Sequence, residues 1–225
     1  MTATVDTINR ASNPDFMSDF TKSFVSVLVA DIIDARSLVA AADSAVNRRH
    51  LVRATFAGVE GLAWHCREHV REIARQMGHL TPLADLALRE QTYTVTDHGE
   101  VIEQVRYLAL ATSIRLMVKQ AAEFVHGFEV DFGSIGWQRL RAAIAIRHRI
   151  THPKRIEDLA LSDSDIDTVG LGFDWFLSVS SDLLEQTVAS YANFVELARE
   201  LVDQLKAGDP AALSEYHAAL MRSED

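Results

Sequence analysis

The chain has 225 residues, of which 48% are apolar and 24% are charged, and its formal net charge is −10. This length and apolar content predict one soluble globular domain spanning residues 1–225, with a substantial core. A pI near 5.3 disfavours broad, non-specific binding to nucleic acid, because an acidic surface repels phosphate. A locally basic cleft remains compatible with this composition.

Cysteine usage and hydropathy disfavour several classes of protein. The single Cys66 excludes an internal disulfide and a multi-cysteine zinc site, so a reducing, cytoplasmic location is the simplest expectation. Residues 1–15 are polar and lack the apolar core of a secretory signal. The longest apolar run, residues 24–42, is interrupted by Asp31, Asp34 and Arg36, so we expect no membrane span and no membrane partner.

The first part of the chain has the apolar spacing of a long helix. Residues 1–13 are polar and are expected to be disordered, and Asn13-Pro14 is typical of a helix start. The predicted helix then places apolar residues at steps of four and three: Phe20, Phe24, Leu28, Ile32, Ala35, Val39, Ala42 and Val46. Asn47 and the basic residues 48–50 indicate a turn or a new helix start.

A second helix is predicted from this point to about Met77, where Gly78 supplies a typical C-terminal residue. Its apolar stripe is continuous: Val52, Phe56, Val59, Ala63, Cys66, Val70, Ile73 and Met77. Thr81-Pro82 can begin a short helix through about Glu90. Residues 93–102 then break the helical pattern with strand formers on both sides of a turn, which predicts a small β-hairpin inserted in a helical body.

Three further helices complete the predicted bundle. One runs from about Leu110 to His126, and a second begins after Ser134 and ends before Pro153. Ser162 and Asp165 have the spacing of a capping box for a long helix through Lys206. A short helix over residues 209–225 follows.

The expected fold is therefore an all-α bundle of four to five main helices with one hairpin. The last long helix carries a predicted apolar stripe: Ile166, Phe173, Leu177, Leu184, Val188, Tyr191, Val195, Ala198, Val202 and Leu205. The stripes on the first and last long helices are long enough to face a second subunit too.

The strongest functional signal is the stretch from Trp137 to Ile156. It contains no carboxylate but two histidines, His148 and His152, and six basic residues, which are Arg139, Arg141, Arg147, Arg149, Lys154 and Arg155. A basic helix end also complements the helix dipole and pairs with surface carboxylates, and that simpler interpretation stays open. Arg-x4-His spacing is weak by itself, since nearly one such pair is expected by chance.

Two histidines and an arginine at a helix end suit cleavage of a phosphodiester. A neutral imidazole can take the proton of a ribose 2′-hydroxyl, an imidazolium can protonate the leaving oxygen, and an arginine can hold the phosphate. On an ideal helix His148 and His152 share a face, but Arg147 and His152 lie about 140° apart. Their convergence requires an unwound last turn or a second subunit.

The segment RHRITHPK, preceded by GWQRLRAAIAI and followed by IEDLALSDSDI, resembles the Arg-polar-x3-His motif of the HEPN superfamily. The helix order across residues 16–206, including RATFAGVEGLAWHCREHV, is similar to the bundle of that family. The resemblance implies an all-α bundle that dimerises. It also implies a metal-independent endoribonuclease, of a kind often found in toxin–antitoxin or phage-defence systems.

Carried onto this chain, the resemblance implies that Arg147 binds phosphate, that His152 is catalytic, and that His148 fills the polar position. The family more often has Asn or Asp there. It implies RNA as substrate, a second copy of the chain and an antitoxin or regulatory protein as partners, and no cofactor. We further expect three neighbouring cations to bind RNA phosphates, namely Arg149, Lys154 and Arg155. Other family members are inactive binding or scaffold modules, and this alternative stays open.

Other residue groups give weaker signals. His65 and His69 lie four residues apart and are weak candidates for metal ligands, but no third ligand is evident, so no metal site is predicted. Glu60 can line a cleft opposite Arg147, although a surface carboxylate is the favoured interpretation. The three tryptophans are expected to pack in the core or an interface rather than to stack on bases: Trp64, Trp137 and Trp175.

Overall fold

A computed structural model describes residues 24–222 of the chain, so the predicted helix start at Asn13-Pro14 and the apolar Phe20 lie outside the described residues. The α-helices are α1 (Phe24–Ala41), α2 (Ala45–Gln76), α3 (Pro82–Leu88), α4 (Leu110–Ala122), α5 (Ile135–Thr151), α6 (Asp163–Lys206) and α7 (Pro210–Arg222). The strands are β1 (Gln91–Val95) and β2 (Val101–Val105), and a short 3-10 helix spans Ile156–Leu159.

The predicted fold class is confirmed, since the described chain is mostly helical with one small antiparallel hairpin. Among residues 24–222, none of the helices combines the length and the apolar character that a bilayer crossing requires.

The break between α1 and α2 comes earlier than the sequence indicates. α1 ends at Ala41, and Ser44 caps α2 by accepting a hydrogen bond from Asn47 N at 3.2 Å. Asn47 lies inside the first turn of α2, and its Nδ2 donates to the carbonyls of Leu38 in α1 and of Ala42 just after it, at 3.2 and 2.8 Å. The placement of Val46 in the first helix is therefore wrong, because Ser44 already supplies the cap, and Val46 is exposed on α2.

α2 forms the centre of the core, as its stripe predicts. Every predicted stripe residue from Val52 to Ile73 is buried, and the helix contacts α1, α4 and α6. Cys66 is among the buried residues, and its burial raises the pKa of the thiol to about 11, so the thiol stays protonated at neutral pH. The helix stops at Met77, and Gly78 follows with a positive φ of 76°.

The pair α5 and α6 is held together by small residues at two points. A Cβ added to Gly172 would lie 2.9 Å from Leu140 Cα, which means that the backbones of the two helices are in contact there. A Cβ added to Gly136 would overlap the indole ring of Trp175. These contacts fix α5, and with it the basic stretch, against α6.

α6 begins with the predicted capping box between Ser162 and Asp165 and continues for 44 residues, or about 66 Å. Its buried face is Val169, Phe173, Phe176, Val179, Ser180, Leu183 and Thr187. The predicted stripe is right at Phe173 and wrong at Leu177 and Val188, which are exposed. After Thr187 no residue of α6 is buried, because among residues 24–222 this half of the helix meets only the short α7 and, near Ser190 and Tyr191, the edge of the core.

α4 packs on another side of α2, and the hairpin contacts α3. β1 pairs with β2 in the register Tyr93↔Glu103, and Gly99 has a φ of 78° in the turn. The hairpin is a little longer than predicted, and Arg106 N donates to Glu90 O at 2.7 Å just beyond it. α4 ends at Ala122 rather than His126, yet the predicted Val125 is still buried.

Candidate functional site

A pocket of about 540 Å³ opens between α2, α4, α5 and the segment that joins β2 to α4. Two residues of the basic stretch, Arg147 and His148, line it from α5. α2 contributes Glu60, Trp64 and Arg67 to the opposite side. The helices thus place Arg147 and His148 at a concave surface, which is where small-molecule and substrate sites usually lie, whereas His152 does not line the pocket.

Arg147 contacts a carboxylate across this pocket. Its Nη2 lies 2.8 Å from Glu60 Oε1, and the two side chains are 33% and 46% exposed. Glu60 therefore lines the cleft opposite Arg147, whereas the sequence favoured an ordinary surface position. An ion pair this exposed contributes about 0–1 kcal/mol, so an incoming phosphate can displace Glu60 at small cost.

His148 and His152 lie side by side at the end of α5. Their ring centroids are 5.0 Å apart with the planes inclined by 56°, and both residues are exposed. His152 is the helix C-cap, with φ −124° and ψ 58°, and its N still donates to His148 O at 3.0 Å. The structure thus brings the two imidazoles together, while the guanidinium of Arg147 turns toward Glu60.

The three neighbouring cations predicted to bind phosphate have different surroundings. Arg149 donates to Ala160 O at 2.8 Å and to Asp165 Oδ2 at 3.2 Å, so it ties the end of α5 to the start of α6. Lys154 is exposed, and no described carboxylate pairs with it. The Arg155 guanidinium is 75% exposed and lies 3.9 Å from Asp158. The structure leaves two of the three cations facing solvent.

Asp158 organises the backbone that follows the motif. Its Oδ2 accepts hydrogen bonds from the N–H groups of Lys154 and Arg155 at 2.8 and 3.1 Å. These bonds to the charged form hold the pKa of the carboxyl below its usual value, the Lys154 N–H first among the causes. These two hydrogen bonds therefore fix the backbone of the loop after Pro153, which directly follows His152.

The floor of the pocket contains a buried ion pair that the motif did not indicate. Arg67, whose side chain is 8% exposed, contacts Glu90 Oε1 at 3.0 Å and Ser113 Oγ at 3.4 Å through Nη1. Leu108 N donates to the same Glu90 oxygen at 3.0 Å. The sequence did contain a signal, because Arg67 sits between Ala63 and Val70 on the buried face of α2, where a charge needs a partner.

A second basic pocket, of about 420 Å³, lies further along α5. Arg115 and Arg141 line it, and the Arg115 guanidinium lies 4.7 Å from the ring centre of Phe132 and 5.1 Å from that of Trp137. No carboxylate within residues 24–222 pairs with either arginine. Arg141 and His148 are seven residues apart, so they share one face of α5 about 10 Å apart. The cationic surface therefore extends beyond the motif.

The candidate metal ligands have structural roles. His69 Nε2 lies 2.8 Å from Thr187 Oγ1, and that hydroxyl donates to Leu183 O at 2.7 Å, which assigns the ring proton to Nε2. Burial, and then the charge of His65, lowers the pKa of His69 to about 4. Within the described part of the chain, no group of three or more His, Cys, Asp or Glu side chains is arranged to hold a metal.

The tryptophans divide into two groups. Trp137 is buried and Trp175 is half-buried against Gly136, as packing predicts. Trp64 differs, because it is 49% exposed and lines the pocket beside Glu60. It joins Arg67, Glu90 and Tyr107 as a pocket residue that the sequence did not assign to the site.

Comparisons with known proteins add no further assignment. The chain matches no protein-family model, no curated protein and no solved structure.

Proposed function

We propose that this chain is a HEPN-like endoribonuclease that cleaves RNA by acid–base catalysis without a metal. The observation that carries the proposal is the pair of exposed imidazoles 5.0 Å apart, His148 and His152, of which His148 lines a pocket together with Arg147. The resemblance of RHRITHPK to the HEPN motif supports the same assignment.

The chemistry follows from the protonation range of imidazole. An imidazole can act as a base when it is neutral and as an acid when it is protonated, so a pair of rings can supply both functions. The neutral ring accepts the proton of the ribose 2′-hydroxyl, and the resulting oxyanion attacks the adjacent phosphorus. The charged ring donates its proton to the leaving 5′-oxygen. The products are a 2′,3′-cyclic phosphate and a 5′-hydroxyl, and the pair of rings ends with its protons exchanged.

Arg147 provides the positive charge for the transition state. Its guanidinium forms charge-assisted hydrogen bonds to the non-bridging phosphate oxygens once Glu60 is displaced. The flanking cations Lys154 and Arg155 extend this binding surface to neighbouring phosphates. Because these contacts are electrostatic, RNA affinity falls as salt concentration rises.

The proposal includes a homodimer in the cytoplasm. Apolar side chains remain exposed on α1 and on the outer half of α6, at Ile33, Leu38, Leu197 and Leu201 among others. Large apolar side chains exposed on two helices favour a protein partner. The resemblance to HEPN proteins makes a second copy the partner proposed for this face. It also suggests a toxin or phage-defence role with an antitoxin or regulatory protein.

The test uses purified protein and mixed RNA in the presence of EDTA, with analysis of the product ends. Cyclic-phosphate ends are expected, and Arg147→Ala or His152→Ala is expected to lower their rate of formation by about 10²-fold or more. Arg139→Ala is the matched control, since Arg139 is exposed about 180° around α5 from His148. Equal activity of all three variants contradicts the proposal.

A second candidate is a catalytically inactive HEPN-like module that binds RNA or a protein. The specific observation in its favour is the Arg147–Glu60 contact of 2.8 Å, which neutralises the phosphate-binding group. Glu60→Gln separates the two candidates: the enzyme gains turnover because Arg147 is released, whereas the binding module gains RNA affinity and still yields no product. Both effects are measured on the same protein, by product analysis and by fluorescence anisotropy.

A further inference from the structure

The floor of the pocket beside Arg147 includes a buried guanidinium with an unused hydrogen-bond donor. Arg67 is 6% exposed as a residue, and its Nε–H has no hydrogen-bond partner among the described residues. Buried polar groups in folded proteins are almost always hydrogen-bonded, and a buried guanidinium is costly to desolvate. Arg67 also lines the pocket, so a ligand bound there lies beside a guanidinium whose donors are not all used.

An acceptor lies next to this donor. Both described contacts of the Glu90 carboxylate, from Arg67 Nη1 and from Leu108 N, are made to Oε1. Oε2 is left to accept from a further N–H group. A donor and an acceptor side by side complement a planar edge that carries an N–H next to a carbonyl or ring nitrogen. Every nucleobase has such an edge.

The walls of the pocket suit a flat aromatic ligand. Tyr107 is 84% exposed and Trp64 is 49% exposed, and both line the pocket. Proteins that bind single-stranded nucleic acid stack bases on aromatic side chains of this kind. Tyr107 is held in place because the residues on both sides of it are bonded to Glu90, Arg106 N to its carbonyl and Leu108 N to its carboxylate.

The position of the pocket connects it to the phosphate site. Its volume of about 540 Å³ falls within the range of small-molecule sites and accommodates one nucleotide. Arg147 and His148 line the same pocket, so a phosphate at Arg147 has its attached base within reach of the floor. We propose that this pocket binds the nucleobase of the nucleotide whose phosphate contacts Arg147, with Arg67 and Glu90 bonding its edge and Tyr107 stacking on its face.

The choice of a nucleobase as the ligand rests on the proposed function. It predicts that the enzyme prefers particular bases at the cleavage site. RNA with the target base unpaired is the substrate, because a base in a duplex cannot enter the pocket. The pocket floor carries both a donor, the guanidinium of Arg67, and an acceptor, the carboxylate of Glu90. Bases are therefore distinguished by the order in which donor and acceptor groups occur along their edges.

The test measures binding of the four nucleoside 3′-monophosphates by calorimetry, with ribose 5-phosphate as the ligand that lacks a base. At least one nucleotide is expected to bind about tenfold more tightly than ribose 5-phosphate, and Tyr107→Ala is expected to remove most of that difference. Tyr93→Ala is the matched control, since Tyr93 is an exposed tyrosine on β1 outside the pocket. Both tyrosines are exposed, so neither variant threatens folding.

A Glu90→Gln variant, checked for folding by circular dichroism, is expected to change which nucleotide binds best. Equal affinity for all four nucleotides and ribose 5-phosphate overturns the inference, as does equal behaviour of Tyr107→Ala and Tyr93→Ala. If the protein discriminates between nucleotides but does not cleave RNA, the base pocket is supported and the proposed endoribonuclease activity is refuted. If the protein cleaves RNA but shows no discrimination between bases, the base pocket is refuted and the proposed endoribonuclease activity is supported.

Discussion

Replacing Gly172 with alanine is expected to destabilise the protein by forcing α5 away from α6. The new Cβ would lie 2.9 Å from Leu140 Cα, 3.0 Å from Leu140 N and 3.2 Å from Arg139 C. All three are backbone atoms of α5, so no side-chain rotation can relieve the contact. The helix that carries the motif must move as a whole.

The effect of the close contact on stability can be separated from the effect of helix propensity by a control substitution two residues away. Gly170 is also within α6, and a Cβ there meets nothing within 4 Å. Both substitutions gain about 1 kcal/mol because alanine is the better helix former. At Gly172 alone, overpacking opposes this gain with a cost of roughly 1–3 kcal/mol. Gly170→Ala is therefore expected to be more stable than the parent, and the two variants should differ by about 1–3 kcal/mol.

The measurement is urea unfolding followed by circular dichroism, with thermal unfolding as a second readout. For a protein of this size each 1 kcal/mol corresponds to a Tm shift of about 2–4 °C. Equal midpoints for Gly172→Ala and Gly170→Ala would refute the close backbone contact between α5 and α6. A lower midpoint for Gly170→Ala would instead refute the helical assignment of that turn.

Two further predictions concern acid stability and self-association. Burial lowers the pKa of His69 to about 4, whereas the unfolded side chain binds its proton near pH 6.5, so acid favours unfolding between these values. Stability is therefore expected to fall by about 2 kcal/mol between pH 7 and pH 5, and His69→Gln should remove this component in urea unfolding at the two pH values. Replacing Leu197 and Leu201 with glutamate is expected to convert a dimer to a monomer in light scattering without loss of helicity, because both side chains are exposed. A dimer that survives this double substitution would place the interface elsewhere.

Local signals in the sequence predicted the elements well. The capping residues Ser134 and Ser162 are found where the spacing places them, since a cap depends only on residues within one turn. The face shared by His148 and His152 is local in the same way, because it follows from helix geometry.

Contacts between distant parts of the chain could not be read from spacing. The pairs Arg147–Glu60 and Arg67–Glu90 each join different elements, and no periodicity specifies them. The stripe on α6 shows the same limit, because apolar spacing identifies a face but not what covers it. Leu177 has the spacing of a core residue and is nonetheless exposed.

The outer half of α6 has a mechanical consequence. Within residues 24–222, its last side-chain hydrogen bonds to the bundle are made by the hydroxyls of Thr187 and Ser190, which contact His69 and the Phe124 carbonyl at 2.8 Å each. Beyond them the helix continues to Lys206 as a rod of about 25 Å with no break. A tilt of about 10° at these two residues would move the Lys206 end of α6 by about 4 Å, so small changes at the two contacts have a large effect on the position of that end.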